Sequence, residues 1–471
     1  MKGRIAMIFV KQLENRKKRK DRDTIDFTQG DITKQILSFY WPLLLTSMLQ
    51  QLYNFVDTLI VGKGLGDHAL AAVGNMGSLF FLIVGFSMGV SNGFGIIIAQ
   101  NFGAKNYEAL KRNIAATIEL AVLIAVMLTI VGTAILPDAL SFLRTDEVII
   151  ADSLKYGYIM FGGLICTIAY NVSSCILRSL GDSRTPLKAI IISSVLNLIL
   201  DSLFIFAFHM GVEGAALATV FSQVISALVC IKKLRTISYI KLKKYHFVNE
   251  VKVYINLFKN GLPMAFMNSI TAVGCMVIQY FVNGYGVDYT SAYSACSKYI
   301  NLFMNPACTA GNAMSAFTSQ NYGAGRYDRI KEGLKVCLTI ALIAYAILGT
   351  IMFLFPTKLA DVLLDGAGSI NLASQYFPIA GIMLVTVDCL FVFRSGVQGM
   401  GRPLMPMFSG VMEMIMRTLV IAFFMGRIGF AATAYAEACA WTAALVVNIL
   451  AFYQVLMPKL RFKVQHLSAK I

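Results

Sequence analysis

Residues Ala99–Leu110 read AQNFGAKNYEAL, and residues Ser319–Ile330 read SQNYGAGRYDRI. Gln100, Asn101, Gly103, Ala104 and Tyr107 recur as Gln320, Asn321, Gly323, Ala324 and Tyr327, at a constant offset of 220. The same offset carries Gly181 and Pro186 of LGDSRTP onto Gly401 and Pro406 of MGRPLMP. Two matched loops at one spacing mean that the chain is built from two copies of one unit, an arrangement typical of transporters.

The surroundings of these loops say what the unit is made of. The chain has 471 residues, 57% hydrophobic and 14% charged, with a mean hydropathy of +0.68. Soluble domains carry about 25% charged residues. About twelve apolar runs approach the ~20 residues a helix needs to cross a bilayer. They fall near 36–61, 69–99, 113–136, 157–179, 186–208 and 212–233, and then 255–282, 291–318, 333–355, 372–398, 404–426 and 429–457. The predicted fold is an all-α membrane protein, with twelve transmembrane helices in two pseudo-symmetric six-helix lobes. Residues 1–30 read as a basic tail, 31–233 as the first lobe, 234–253 as a linker, 254–458 as the second lobe and 459–471 as a second tail. An even number of spans per half gives both halves one orientation, as in parallel repeats related by an axis along the membrane normal.

The net charge of +16 invites a nucleic-acid reading, but its distribution opposes one. Lys and Arg gather in the tails and in alternate loops: Lys105, Lys111 and Arg112; Arg178, Arg184 and Lys188; the 232–252 segment; Arg326, Arg329, Lys331 and Lys335; Arg402; and Lys459, Arg461 and Lys463. The intervening loops hold Asp67, Asp138, Asp146, Asp288, Asp361 and Asp365. That is the positive-inside pattern, and it predicts a multi-pass protein of the cytoplasmic membrane with both termini cytoplasmic. The run KQLENRKKRKDR at Lys11–Arg22 reads as an orienting, lipid-facing tail. The nine cysteines are scattered, without CxxC, and read as packing residues. Neither a Walker motif nor HExxH or GxSxG is present, and the aqueous loops are too short for a catalytic domain. An enzyme and an ATP-driven pump are thereby disfavoured, and no cofactor is expected.

Charges inside the spans carry the functional signal, because an ionised side chain in a bilayer costs several kcal/mol and marks a site by default. The fifth span contains SSVLNLILDSLFIF at Ser193–Phe206, with Asn197 and Asp201 one turn apart on one face. At the offset of 220, Asn197 maps to Arg417, Asp201 to Ile421 and Asp57 to Val277. The acids therefore belong to the first half alone, so the bundle architecture does not require them.

The ordered set of QN-G-A loops, LRSLGDSRTP at Leu177–Pro186, NLILD in the fifth span and NFVDTLIVG at Asn54–Gly62 resembles the multidrug and toxic compound extrusion (MATE) family. The similarity covers about residues 30–458. It implies a V-shaped pair of six-helix lobes and export of organic cations or drugs, driven by inward movement of H⁺ or Na⁺. It maps the family's cation site onto Asp57, Asn197 and Asp201, with Asn171 as a fourth member; Na⁺ is the only metal in view. Some relatives instead use an acid in the seventh span and an Asp in the tenth. Here the seventh span has Ser269 and Thr271 but no acid, and the tenth has Asp388, a departure that favours the first lobe.

The second half offers other polar candidates for substrate or for a second site. Glu413 and Arg417 are four apart and should pair. Glu437 lies one turn before Trp441, Asp388 stands alone in the tenth span, and Lys298 in the eighth is a candidate counter-charge for it. The predicted partners are a small-molecule substrate and membrane lipid, with no nucleic acid, and the chain is expected to act as a monomer. A flippase for a lipid-linked sugar is the alternative; it calls for a large cationic groove, and positive residues deep in the spans are few.

Overall fold

The computed structural model describes residues 24–142, 145–247 and 250–468. The basic segment Lys11–Arg22 lies outside them. Among the described residues the regular structure is helical throughout, without strands. The first half contains α1 (Ile32–Leu65), α2 (Asp67–Gly103), α3 (Tyr107–Phe142), α4 (Glu147–Gly162), α5 (Leu164–Ser179), α6 (Arg184–Ser202) and α7 (Val212–Thr236). The second contains α8 (Val251–Asn283), α9 (Val287–Gly323), α10 (Tyr327–Leu354), the short α11 (Pro356–Leu363), α12 (Ala367–Gly399), α13 (Leu404–Ile428) and α14 (Ala431–Ser468).

Nine of these helices are long and apolar enough to cross a membrane, and the bent pair α4–α5 makes a tenth span. Helices α1 and α9 complete the twelve. They are 34 and 37 residues long, but polar side chains interrupt them, including Gln50, Gln51, Asn54 and Asp57 in α1 and Ser297, Asn301 and Asn305 in α9.

The repeat is visible in the backbone. Helices α2, α3 and α6 begin 220 residues before α9, α10 and α13. Left-handed residues fall in register too: Gly66 with Gly286, Lys105 with Gly325, Gly181 with Gly401, and His209 with Gly429. Asn101 Nδ2 donates to the Ile97 carbonyl at 2.8 Å, and Asn321 Nδ2 donates to that of Phe317 at 2.8 Å. The QN-G-A motif thus recurs with one and the same hydrogen bond near the end of each helix. The Asn amide bonds back to the carbonyl four residues earlier, in the last turns before the left-handed residue.

Two span boundaries differ from the sequence reading by ten residues or more. The span placed at 157–179 starts at Glu147, capped by Asp146, whose side chain accepts from Val148 N at 2.9 Å. It bends by 45° where Gly163 separates α4 from α5. A Cβ at Gly163 would fall 2.3 Å from Val220 Cγ2, so the bend is where α7 presses on this span. Residues 459–468, read as a tail, continue α14 through Pro458.

By internal contacts, one unit comprises residues 24–27 and Trp41–Phe258, and the other Thr28–Tyr40 and Lys259 onward. The segment 234–253 thus belongs to the first unit instead of standing free. Tyr239 stacks on Phe102 at 5.6 Å, Ile237 and Ile240 are buried, and Glu250 pairs with Arg112. The start of α1 belongs to the second unit, where Arg329 Nη1 donates to the Gly30 carbonyl at 3.0 Å. Each unit has its own apolar core, one around Phe161, Leu164 and Leu177 and one around Phe377, Leu384 and Phe430.

Candidate functional sites

In the first unit, Asp201 ends the regular part of α6. Directly after it the backbone widens into a π turn at Leu203–Ala207, where Phe208 N donates to the Leu203 carbonyl at 3.0 Å. Such turns recur at functional positions because the extra residue redirects side chains. Helix α1 meets this turn closely. A Cβ at Gly64 would fall 2.8 Å from Ile205 Cγ2 and 3.0 Å from Phe206, so only glycine lets α1 approach. Two turns earlier on α1 stands Asp57, and its carboxyl group lies near that of Asp201.

Asn197 and Asp201 are buried, at 1% and 0% exposure, and Asp57 is half-buried. Neither Asp201 oxygen has a hydrogen-bond partner, nor does Asp57 Oδ1 or Asn197 Nδ2. Buried polar atoms are almost always satisfied, so a cluster of them without protein partners marks a candidate site. Tyr53 on α1 and Tyr156 on α4 stand beside the two acids, and Tyr53 also lies near Thr219 on α7. Asn171 on α5 is half-buried, and its Nδ2 is also without a partner. No hydrogen bond joins it to the acids.

Sequence reasoning missed both tyrosines. Tyr156 lay outside the span placed at 157–179, whereas Tyr53 sits four residues before Asp57, a spacing that could have revealed it. Tyr156 also has a counterpart, Tyr376, at the offset of 220.

The second unit holds a different construction. Arg394 on α12 pairs with Glu413 on α13; Glu413 Oε2 is 3.4 Å from Arg417 Nη1; and Arg417 Nε and Nη2 lie 2.9 and 2.8 Å from Glu437 Oε2 on α14. Glu413 and Arg417 thus face each other within one helix, as their spacing predicted. Arg394 was absent from the sequence candidates, although an Arg in an apolar span was signal enough. The four side chains are buried and their formal charges sum to zero, which is how ionised groups survive in a low-dielectric interior. Cys275, Tyr293 and Tyr376 surround the Arg417–Glu437 end.

Asp388, also on α12, is fully buried with both carboxylate oxygens unpartnered. Lys298 is exposed whereas Asp388 is fully buried, and no ion pair joins them among the described residues.

Two repeated six-span units, each with a charge cluster deep in its helices, define a polytopic membrane transporter. The MatE family model matches residues 42–203 and 263–424, one copy in each unit, and the chain belongs to the MatE family of transporters, which are not enzymes. It is 30% identical over 360 residues to the Bacillus subtilis "Probable multidrug resistance protein YoeA", covering 75% of this chain and 78% of the relative. It is 28% identical over 381 residues to the "Probable multidrug resistance protein YpnP" of the same organism, covering 80% and 84%. The fold matches a solved outward-facing multidrug resistance MATE family transporter with a TM-score of 0.85 at 20% identity, covering 93% of this chain and 98% of that one.

Proposed function

We propose that the protein is a cation-coupled antiporter that exports organic cations across the cytoplasmic membrane by alternating access, with both termini on the cytoplasmic side. One observation carries the coupling role: Asp201 is wholly buried beside Asp57, and neither of its carboxylate oxygens has a partner. Two carboxylates sharing a low-dielectric pocket repel when both are ionised, and a proton or Na⁺ between them removes that repulsion. Asn197 supplies a neutral oxygen one turn away. Such a site binds its ion with a different strength whenever α1 and α6 shift relative to each other. An ion can drive a conformational equilibrium only through a difference of that kind. Sequential occupancy follows. The ion enters from outside, closes the acid pair and weakens substrate binding; its release inside restores the loading state.

The names of the multidrug resistance relatives support the substrate class. The flippase alternative is less supported, because the two arginines deep in the second unit, Arg394 and Arg417, are neutralised by Glu413 and Glu437.

The test is substrate uptake in proteoliposomes under a pH gradient and a Na⁺ gradient imposed separately. Counterflow that follows one gradient, and loses that dependence in Asp201→Asn, supports the reading. Unaltered gradient dependence in Asp201→Asn overturns it.

A further inference from the structure

The first unit contains an apolar groove of about 710 Å³ between α3, α5, the end of α7 and the segment that follows α7. Its size falls within the ~300–1,000 Å³ of small-molecule sites. Every wall residue except Ser173, Arg235 and Lys241 is apolar. The polar residues are not mixed evenly. Arg235 and Lys241 sit together at one end, where α3 begins, α5 ends and α7 ends. Both side chains are exposed, and neither makes an ion pair among the described residues.

The groove's depth is informative. On α3 it runs from Ile114 to Ala125, and on α5 from Ile176 back to Ile165. At ~1.5 Å per residue each stretch covers about 16 Å, half the ~30 Å hydrocarbon core of a bilayer. The apolar walls therefore extend through one leaflet and stop. Ile118, Val122 and Ile165 lie exposed along them, so the groove is open at its side.

We propose that this groove binds an anionic glycerophospholipid of the leaflet on the basic-loop side. An acyl chain lies between α3 and α5, and the phosphate is held by Arg235 and Lys241. A soluble apolar ligand would leave the two cations unused, and a bare anion would leave the 16 Å of apolar wall unused. An amphiphile with one negative end satisfies both. Ile240 and Leu242 form part of the wall, so the bound lipid fastens the 234–253 segment onto the first unit.

Native mass spectrometry of the detergent-purified full chain tests this, with phosphatidylglycerol and phosphatidylcholine titrated separately. The wild type should retain phosphatidylglycerol preferentially. A basic side chain at a membrane surface contributes about 1 kcal/mol, so Arg235→Ala/Lys241→Ala should weaken phosphatidylglycerol about thirty-fold and leave phosphatidylcholine unchanged. Val122→Trp, at an exposed groove position, should weaken both lipids. Lys331→Ala/Lys335→Ala, a basic pair outside the groove, should bind as wild type. Equal retention of the two lipids overturns the proposal, as does a loss in the Lys331/Lys335 variant matching that of the groove pair, or normal binding in Val122→Trp.

Discussion

The two charge clusters predict opposite responses to the same chemical change. Asp201→Asn removes an ionisable group whose oxygens have no partner, in a side chain at 0% exposure. Glu437→Gln removes a charge that makes close contacts, 2.9 and 2.8 Å, to Arg417. Both substitutions preserve shape, so volume does not enter. Asn at 201 keeps a buried polar side chain but cannot ionise, so the substitution ends the Asp57–Asp201 repulsion and should stabilise the protein by up to about 1 kcal/mol. Breaking a buried ion pair from one side costs about 3–5 kcal/mol, because Arg417 and Arg394 would then share a single acid.

At about 2–4 °C per kcal/mol for units of this size, Asp201→Asn should melt a few degrees above wild type and Glu437→Gln about ten degrees below. The assay is thermal unfolding of the detergent-purified protein at neutral pH, paired with proteoliposome transport of the same samples. On the proposed function, Asp201→Asn should be both the more stable and the uncoupled variant. A melting temperature at or below wild type for Asp201→Asn, or an unshifted one for Glu437→Gln, would refute the assignment of orphan and ladder.

Lys105 occupies the left-handed region at φ 56°, where its repeat counterpart is Gly325; Lys105→Gly should raise stability by about 0.5–1 kcal/mol in the same melting assay. Gly181 has φ 84°, and a Cβ there would fall 2.2 Å from the Ile25 carbonyl oxygen. Gly181→Ala should cost about 1–3 kcal/mol and expose the chain near Ile25 to limited proteolysis. Gly64→Val should push α1 off the π turn and separate Asp57 from Asp201, so ion-dependent transport should fall about tenfold for an overpacking cost of about 1–3 kcal/mol, read from initial rates.

Much of this organisation was legible in the chain itself, for a physical reason. Apolar length and charge alternation are one-dimensional properties imposed by the bilayer, so the spans could be counted directly. Repeat loops sharing an Asn and left-handed residues could be matched by eye. Asn197 and Asp201 stood out because charge in lipid is rare. What stayed hidden depends on three-dimensional contact. The bend at Gly163 follows from Val220, which is distant in sequence, and Gly162–Gly163 alone does not require it. Arg394 joins Glu413 through a contact between α12 and α13 that no periodicity encodes. Tyr156 was lost to a boundary, because the span begins ten residues before the apolar run does. Lys298 was offered to Asp388 on charge alone, and charge says nothing about which way a helix face turns.

The repeat also explains why two such different clusters exist. Arg417 occupies the position of Asn197, and Tyr376 that of Tyr156, while Gly274 on α8 lies close to Arg417 as α1 lies close to Asp201. The same pocket, framed by the first, fourth and fifth spans of a unit, is therefore present twice. In the second unit it is filled by two arginines and two glutamates whose formal charges sum to zero; in the first it holds two acids with Tyr53, Tyr156 and Asn197 about them and no basic side chain paired with them among the described residues. A ladder of ion pairs resists rearrangement, since each step of it must be broken at a cost. An unsatisfied acid pair changes energy whenever an ion arrives or leaves. If ion coupling needs one yielding unit working against one rigid one, the chemistry divided between the sister pockets supplies both. A Glu413→Gln/Arg417→Asn variant, which loosens the ladder, should then weaken coupling even though it touches neither Asp57 nor Asp201.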